Sequence, residues 1–285
     1  MTGNPELITD ARNTWCPGCG NFSLQHALKS AIGELIASGT PKENIVLVTG
    51  IGCHAKMADY LNISSFYTLH GRTIPVATGI KLANPDLTVI CCGGDGDMYA
   101  EGLDHLAFAA KRNTGITVIV HNNRVYGLTT GQYTPTSPLG YKGKSTPYGT
   151  TEYPFNPLEL MLGCGAGFIA RGYTRKQDQL KSLFLDGIRH RGFAFLDVLQ
   201  ICATFFNMTE YYRDRVYDLP PEYDDSDFAA ACARAREWDY NTDAKIALGV
   251  IFRRNIPTFE ERVGPWADGM AGRDDKVSRF LADRA

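Results

Sequence analysis

The chain has 285 residues, 44% hydrophobic and 21% charged, with a net charge of −2 at neutral pH. This length buries a full core as one large domain or two small ones. The near-balanced charge gives no reason to expect nucleic acid or an anionic membrane as partner. No apolar run approaches the roughly 20 residues of a membrane span. Residues 1–13 are polar and lack the apolar centre of a signal peptide, so a cytoplasmic location is expected. Eight cysteines are too few for a disulfide scaffold. In a reducing compartment they are metal ligands, catalytic groups or simply buried.

In chain order, apolar residues at helical spacing predict a helix over residues 22–37, ended by Gly39 and Pro41. A β-branched strand at 45–49 runs into Gly50-Ile51-Gly52. A helix at 73–83 stops at Asn84-Pro85, and an apolar strand at 87–92 runs into Gly93-Gly94-Asp95-Gly96-Asp97. A helix at 103–111 and a strand at 116–121 follow, the latter ending at Asn122-Asn123. Residues 126–155 are rich in Gly, Pro, Ser, Thr and Tyr and show no period; a stretch of that kind is usually functional or mobile. A further repeat follows: a strand at 167–171, a helix at 177–188 and a strand at 193–199. Alternating helices and doubly apolar strands predict an α/β fold, a parallel sheet with helices on both faces. Beyond residue 205 the composition shifts, with a helix at 228–238 and a strand at 246–252. Residues 1–205 are expected as the ligand-binding domain and 206–285 as a C-terminal arm that contacts a partner.

Ligands of parallel sheets bind beyond the carboxyl ends of the strands. Three motifs follow strand ends here: Gly50-Ile51-Gly52-Cys53, the Gly/Asp segment and the Asn pair. Asp95 and Asn123 supply hard oxygens of the kind Mg²⁺ takes alongside substrate phosphates, and the carbonyl of Val125 offers a third. Gly94 and Gly96 remove Cβ atoms where a phosphate needs backbone N–H groups. A helix starting near 100–103 would aim its positive end at the anion. A glycine turn with a helix-capping aspartate is the bland alternative for Gly-Asp-Gly alone.

Together these motifs resemble the thiamine diphosphate signature. The string Asn123-Arg124-Val125-Tyr126-Gly127-Leu128-Thr129-Thr130-Gly131-Gln132 resembles the β subunit of 2-oxoacid:ferredoxin oxidoreductases. The resemblance spans roughly residues 12–205 as short matches. It implies a thiamine diphosphate-binding fold of the PP-domain type. It also implies that Asp95, Asn123 and the Val125 carbonyl ligate Mg²⁺. Gly96, Asp97, Gly127 and Leu128 would contact the diphosphate, Ile51, Gly52, Cys53 and His54 would line the cofactor, and His70 would face it as a catalytic group.

Cys16-Pro17-Gly18-Cys19 invites a thioredoxin-like reading, but only a polar tail precedes it and no first strand does. With two further thiolates it suits either a zinc S₄ site or a [4Fe–4S] cluster, and spacing does not choose between them. The neighbouring thiamine site favours the cluster, because zinc is redox-inert. Cys53 lies in the loop placed near the cofactor, and Cys202 resembles the family's fourth ligand, with Cys164 its main rival. The expected cluster ligands are thus Cys16, Cys19, Cys53 and Cys202. Cys91, Cys92 and Cys232 read as structural.

The resemblance implies oxidative decarboxylation of a 2-oxo acid to acyl-coenzyme A and CO₂, with electrons leaving through the cluster to ferredoxin. Lys56, just past Cys53, is a catalytic candidate that would pair with a second substrate carboxylate, which favours 2-oxoglutarate over pyruvate or branched-chain acids. Some family members carry lysine where this chain has Thr130, and that lysine contacts a substrate carboxylate, so the departure weakens the preference. Arg72 is a solvated arginine or a second cation for the site, and His121 a packed or site histidine. His26, His105 and His190 read as ordinary helix residues. No glutamate here looks like the acid that activates the aminopyrimidine, and the length holds one thiamine domain only. An α subunit is expected to supply both, so the chain is expected to work as an obligate hetero-oligomer. The rivals are a non-oxidative decarboxylase or transketolase-like half, and a zinc-stabilised scaffold subunit.

Overall fold

The computed structural model describes residues 7–263 and 273–283. Eight strands form one sheet in the order β2-β1-β3-β4-β8-β7-β10-β9. They are β1 (Ile45–Thr49), β2 (Ser64–Tyr67), β3 (Thr88–Gly94), β4 (Ile116–Asn122), β7 (Phe168–Tyr173), β8 (Ala194–Leu199), β9 (Val216–Asp218) and β10 (Ile246–Arg253). Strands β2 through β7 in that order pair in parallel, and β10 pairs antiparallel to β7. A separate hairpin, β5 (Val125–Tyr126) and β6 (Gln132–Tyr133), stands beyond the end of β4.

The strands are apolar on both faces because both faces are covered. Along β1, β3 and β8, alternate residues divide between two cores. Leu47, Ile90 and Leu196 join the core under helices α1 (Asn21–Ala37) and α6 (Gln177–Arg189). Val48, Val89 and Phe195 join the core under α3 (Thr73–Ala83), α4 (Leu103–Arg112), α5 (Pro157–Cys164) and α8 (Phe228–Arg236). The period of two along each strand thus sends consecutive side chains into different layers. Cys91 and Cys92 are fully buried, one in each core, as their strand setting requires.

From β1 the chain turns outward to β2 and then returns to β3 on the other side. The reversal opens a crevice at the carboxyl ends of β1 and β3, where open α/β sheets bind ligands. The predicted helix and strand positions in residues 22–199 recur with ends shifted by one or two residues.

The segment expected as an arm is more closely built into the body. Its strands β9 and β10 extend the sheet, and Trp238 and Tyr240 pack with Tyr173, Leu199 and Tyr212 in a third, aromatic core. The described part of residues 206–285 therefore continues the sheet as far as Arg253; the rest of the proposed partner-contacting arm lies partly outside the described residues. Among the described residues, no helix is long and apolar enough to cross a membrane.

Candidate active site

Two adjoining cavities lie at the carboxyl edge of the sheet. The first is walled by the ends of β1, β3 and β4: Ile51, Gly52, Cys53 and His54, then Asp95, Gly96 and Asp97, then Asn123, Val125, Gly127 and Leu128. His70 reaches it from the loop after β2, and Asn21, His121 and Tyr126 also line it. The second cavity, of about 200 Å³, is walled by Cys16, Cys19, Cys53 and Cys202, with Lys56 and Thr130 beside them. Cys53, Asn123, Gly127 and Leu128 belong to both.

Asp95 follows the last residue of β3 and is 2% exposed. Burial pushes its carboxyl up to about 6, against the pull of Thr134, Thr136 and nearby backbone N–H groups. The hydroxyl of Thr136 lies 3.1 Å from Asp95 Oδ2 and 3.0 Å from Asn122 Oδ1. Asn122 Nδ2 donates to Asp197 Oδ1 at 2.9 Å, and Tyr99 and Tyr240 donate their phenolic O–H groups to the same carboxylate at 2.7 and 2.6 Å. Behind Asp95 there is thus a fully buried polar frame joining β3, β4, β8 and the aromatic core. Asn123 Oδ1 accepts from the Val125 N–H at 3.0 Å, which folds the chain back just past β4 and keeps Val125 in the same cavity wall.

The glycines answer mainly to rings. A Cβ on Gly96 would lie 2.1 Å from a carbon of Tyr126, whose O–H donates to the Gly96 carbonyl at 3.3 Å. A Cβ on Gly94 would lie 2.9 Å from His54 Nδ1. Helical structure also begins earlier than the expected 100–103: a π-helical turn, Asp97–Glu101, begins two residues past Asp95 and precedes α4. The anion-facing backbone N–H groups would come from this turn.

Three imidazoles line the first cavity. His54 Nε2 lies 3.4 Å from Asp97 Oδ2, and His70 Nδ1 lies 3.2 Å from Asp97 Oδ1. His121 is held by Asn21 through Nδ1 at 2.8 Å, and burial keeps it well below its ordinary pKa, hence neutral. Burial works to raise Asp97, but His54, the Gly71 N–H and His70 outweigh it and hold the group lowered, as an anion.

The cysteines are gathered from three places in the chain. Pro17 and Gly18 occupy the corners of a tight turn, closed by Cys19 N–H on the Cys16 carbonyl at 3.0 Å, with Gly18 at φ 79°. The Gly20 N–H binds the Ile201 carbonyl at 2.9 Å, tying this turn to the segment of Cys202. Trp15 Nε1 donates to the Cys53 carbonyl at 2.7 Å. A Cβ on Gly127 would stand 3.5 Å from Cys53 Sγ and 3.9 Å from Cys202 Sγ. Burial pushes the Cys19 thiol up to about 11. It raises Cys53 too, with Lys56 opposing. Cys164 ends α5 and packs at the margin of the core on the other face, away from this group.

Some expected residues fall elsewhere. Lys56 does not line the first cavity; its Nζ donates to Thr14 Oγ1 at 2.8 Å beside the cysteines. Arg72 binds the carbonyls of Gly71 and Glu101. Thr130 accepts from Lys144 Nζ at 3.2 Å. Sequence reading missed Asn21, Thr134, Thr136 and Asp197. The loop of Thr134 and Thr136 carries no periodic signal, and Asp197 stood inside an apolar strand, where a lone carboxylate was itself the clue.

Comparison with known proteins decides the family. Residues 50–198 match the model of the thiamine pyrophosphate enzyme C-terminal TPP-binding domain, and residues 202–268 match that of the C-terminal region of the pyruvate ferredoxin oxidoreductase β chain. The chain is 42% identical over 267 residues to a 2-oxoacid:ferredoxin oxidoreductase subunit β of Saccharolobus solfataricus, covering 88% of this chain and 85% of that one. The chain belongs to the β subunits of the 2-oxoacid:ferredoxin oxidoreductases. A 2-oxoglutarate synthase subunit KorB of Methanothermobacter thermautotrophicus is 37% identical over 259 residues, covering 91% and 89% of the two chains. A solved structure of 2-oxoglutarate:ferredoxin oxidoreductase from Magnetococcus marinus, with 2-oxoglutarate, coenzyme A and succinyl-CoA bound, superposes with a TM-score of 0.87 at 33% identity, covering 96% and 94%. As a β subunit of this family, the chain is part of an oxidoreductase, and all of its first cavity's wall except Asn21 comes from its thiamine diphosphate-binding domain.

Proposed function

We propose that this β subunit, joined to an α subunit, catalyses coenzyme A-dependent oxidative decarboxylation of a 2-oxo acid, with 2-oxoglutarate favoured, and passes the electrons through a [4Fe–4S] cluster to ferredoxin. The observation that carries the reading is the contiguity of the two cavities, one of a thiamine diphosphate type and one ringed by four cysteines, with Cys53 and Gly127 in both walls.

The residues fit both inorganic groups. Asp95 is a buried carboxylate raised by desolvation, a penalty that a divalent cation would relieve. Asn123 Oδ1 has one lone pair taken by Val125 N–H and one left for an ion. Asp95, Asn123 and the Val125 carbonyl would hold Mg²⁺. A single tetrahedral zinc, at about 2.3 Å from each sulfur, draws its thiolates into near contact. No group of three or more His, Cys, Asp or Glu side chains is gathered in that way among the described residues. Four cysteines spread around one cavity suit a larger iron–sulfur core.

Thiamine diphosphate, when bound, supplies the electron sink for decarboxylation. The chain's own residues do the rest. The strand-end loops fix the diphosphate, and Asp97 with His54 and His70 forms part of the same cavity wall. The cysteine cavity gives electrons a path across the Gly127 backbone. Among the described residues, the carboxylates in the first cavity's wall are Asp95 and Asp97 and no glutamate lines it, which supports an acid supplied by the α subunit. Support for 2-oxoglutarate comes from the named relatives and from Lys56, whose ammonium is held by a hydroxyl.

The test is anaerobic co-expression with the α subunit, followed by reduction of a low-potential dye with a panel of 2-oxo acids and coenzyme A. The expected preparation is brown, contains iron and prefers 2-oxoglutarate, while the isolated chain is inactive. A colourless, zinc-loaded complex, or full turnover by the isolated chain, refutes the reading.

A further inference from the structure

The cofactor cavity contains a second anion that the diphosphate chemistry does not call for. Asp97 is 2% exposed, and it stands in the wall of a cavity whose occupant is itself anionic. A carboxylate there works against diphosphate binding unless its charge is committed elsewhere. Its surroundings show where. Oδ1 accepts the Gly71 N–H at 2.7 Å and lies 3.2 Å from His70 Nδ1. The Ile51 N–H is 3.4 Å from the same oxygen. Oδ2 lies 3.4 Å from His54 Nε2 and 3.5 Å from the Thr73 hydroxyl. One side chain therefore faces the end of β1, the turn carrying His54, the loop carrying His70 and the start of α3.

We infer that Asp97 is a positioning residue: its carboxylate fixes the orientation and tautomer of His54 and His70, the two imidazoles it shares in the cofactor cavity. The inference rests on the reading of that cavity given above.

An ionised carboxylate only accepts hydrogen bonds. An imidazole nitrogen presenting its lone pair to it would be repelled. His70 therefore carries hydrogen on Nδ1 and His54 on Nε2. Both contacts are long, and neither ring nitrogen makes an aligned hydrogen bond, so the grip is an attraction between the carboxylate charge and the N–H dipole of the ring, which selects the tautomer. The remaining nitrogens, His70 Nε2 and His54 Nδ1, are then the free acceptors when the rings are neutral. The His54 ring is boxed as well as oriented. A Cβ on Gly94 or Gly52 would come within 2.9 and 2.8 Å of its Nδ1. His121, fixed by Asn21, faces the same ring at 5.8 Å between centroids and takes no part in the grip.

The same arrangement explains a glycine. A Cβ on Gly50 would sit 1.9 Å from Asp97 Oδ2, so the end of β1 must be bare for the carboxylate to reach both rings. Gly50 and Asp97 act as one device from two motifs.

The experiment uses the αβ complex with ¹⁵N-labelled histidine, the His54 and His70 signals being identified with H54Q and H70Q. The wild type is expected to show Nδ1–H on His70 and Nε2–H on His54. Asp97→Asn is expected to scramble both tautomers and to lower kcat by about 10- to 100-fold, as losing a carboxylate that orients a histidine does. The half-saturating thiamine diphosphate concentration should stay within about threefold of wild type, since both Asp97 oxygens are engaged by Gly71, His70, His54 and Thr73, which leaves the diphosphate contact that the resemblance implies for Asp97 to other groups. Opposite tautomers in the wild type overturn the inference without any variant, which covers a variant that fails to fold. So does an Asp97→Asn spectrum identical to wild type, or a variant that keeps kcat at saturation while its cofactor requirement rises more than about tenfold, the pattern of a diphosphate contact. Absence of 2-oxo acid turnover in the wild-type complex would count against the proposed reaction and leave the tautomer result standing.

Discussion

Replacing Thr136 with valine tests the buried frame behind the expected metal site. The hydroxyl is fully buried and lies 3.1 Å from Asp95 Oδ2 and 3.0 Å from Asn122 Oδ1. It has one hydrogen, so it donates to one of these at a time. Valine keeps the shape and removes the donor. A hydrogen bond to a charged group contributes about 1.5–3 kcal/mol, and each 1.36 kcal/mol moves a pKa by one unit. The Asp95 carboxyl, already raised to about 6, should therefore rise by a further one to two units or so. A proton would then compete with Mg²⁺ up to higher pH, because a metal ligand must be deprotonated. The assay is thiamine diphosphate binding to the αβ complex, followed by quenching of protein fluorescence, with Mg²⁺ titrated between pH 5.5 and 8.5. The pH below which Mg²⁺ half-saturation weakens should move upward by about one to two units in the variant and converge with wild type at high pH. The metal-free variant should also melt lower by about 3–5 °C, given an unfolding entropy near 2.1 cal/mol/K per residue. A Mg²⁺–pH profile superimposable on wild type would show that Thr136 does not support Asp95 and that the frame is misread.

Two other outcomes follow from the geometry. Cys202→Ser should abolish visible absorbance and iron content while leaving thiamine diphosphate binding intact, whereas Cys164→Ser, remote from the cysteine cavity, should retain the colour; loss of colour in the second variant alone would reassign the fourth ligand. His190 is lowered from 6.5 to about 4, chiefly by burial and secondarily by Arg253. A histidine depressed in the fold contributes stability that is complete above its unfolded value and lost as pH falls from about 6.5 toward 4. His190→Gln should flatten the fall in urea midpoint over that window, and parallel curves for the two proteins would contradict it.

The central sheet and its binding edge were legible because their signals are local. Continuous apolar runs ending in Gly93-Gly94-Asp95 and Asn122-Asn123 mark β3 and β4 as strands covered on both faces, and a strand's end is where such sheets hold ligands. The short exposed edge strand Ser64–Tyr67 was not legible, since no burial pattern is imposed on it. Helix Pro157–Cys164 was missed although its marks are present: Asn156 caps it, proline stands at its first position and Gly165 closes it in a left-handed conformation. The period was too short to outweigh the irregular stretch before it. The roles of Thr136 and Asp97 were hidden for another reason. Each depends on partners 14 to 46 residues away in the chain, brought near only by the crossover connections. The same holds for strand Ile246–Arg253, whose antiparallel place beside β7 no local pattern announces.

Gly127 belongs to the wall of both cavities and has no side chain to add to its thickness. Whatever occupies the two chambers is divided by a septum that Gly127 shares with Cys53, Asn123 and Leu128. Distance governs how quickly charge can hop, so the septum makes residue 127 a gauge. Alanine there would thicken the barrier while its Cβ came to 3.5 Å from Cys53 Sγ and 3.9 Å from Cys202 Sγ, so the slowing of transfer, read beside an unchanged iron content, would measure how tightly the two chambers are spliced.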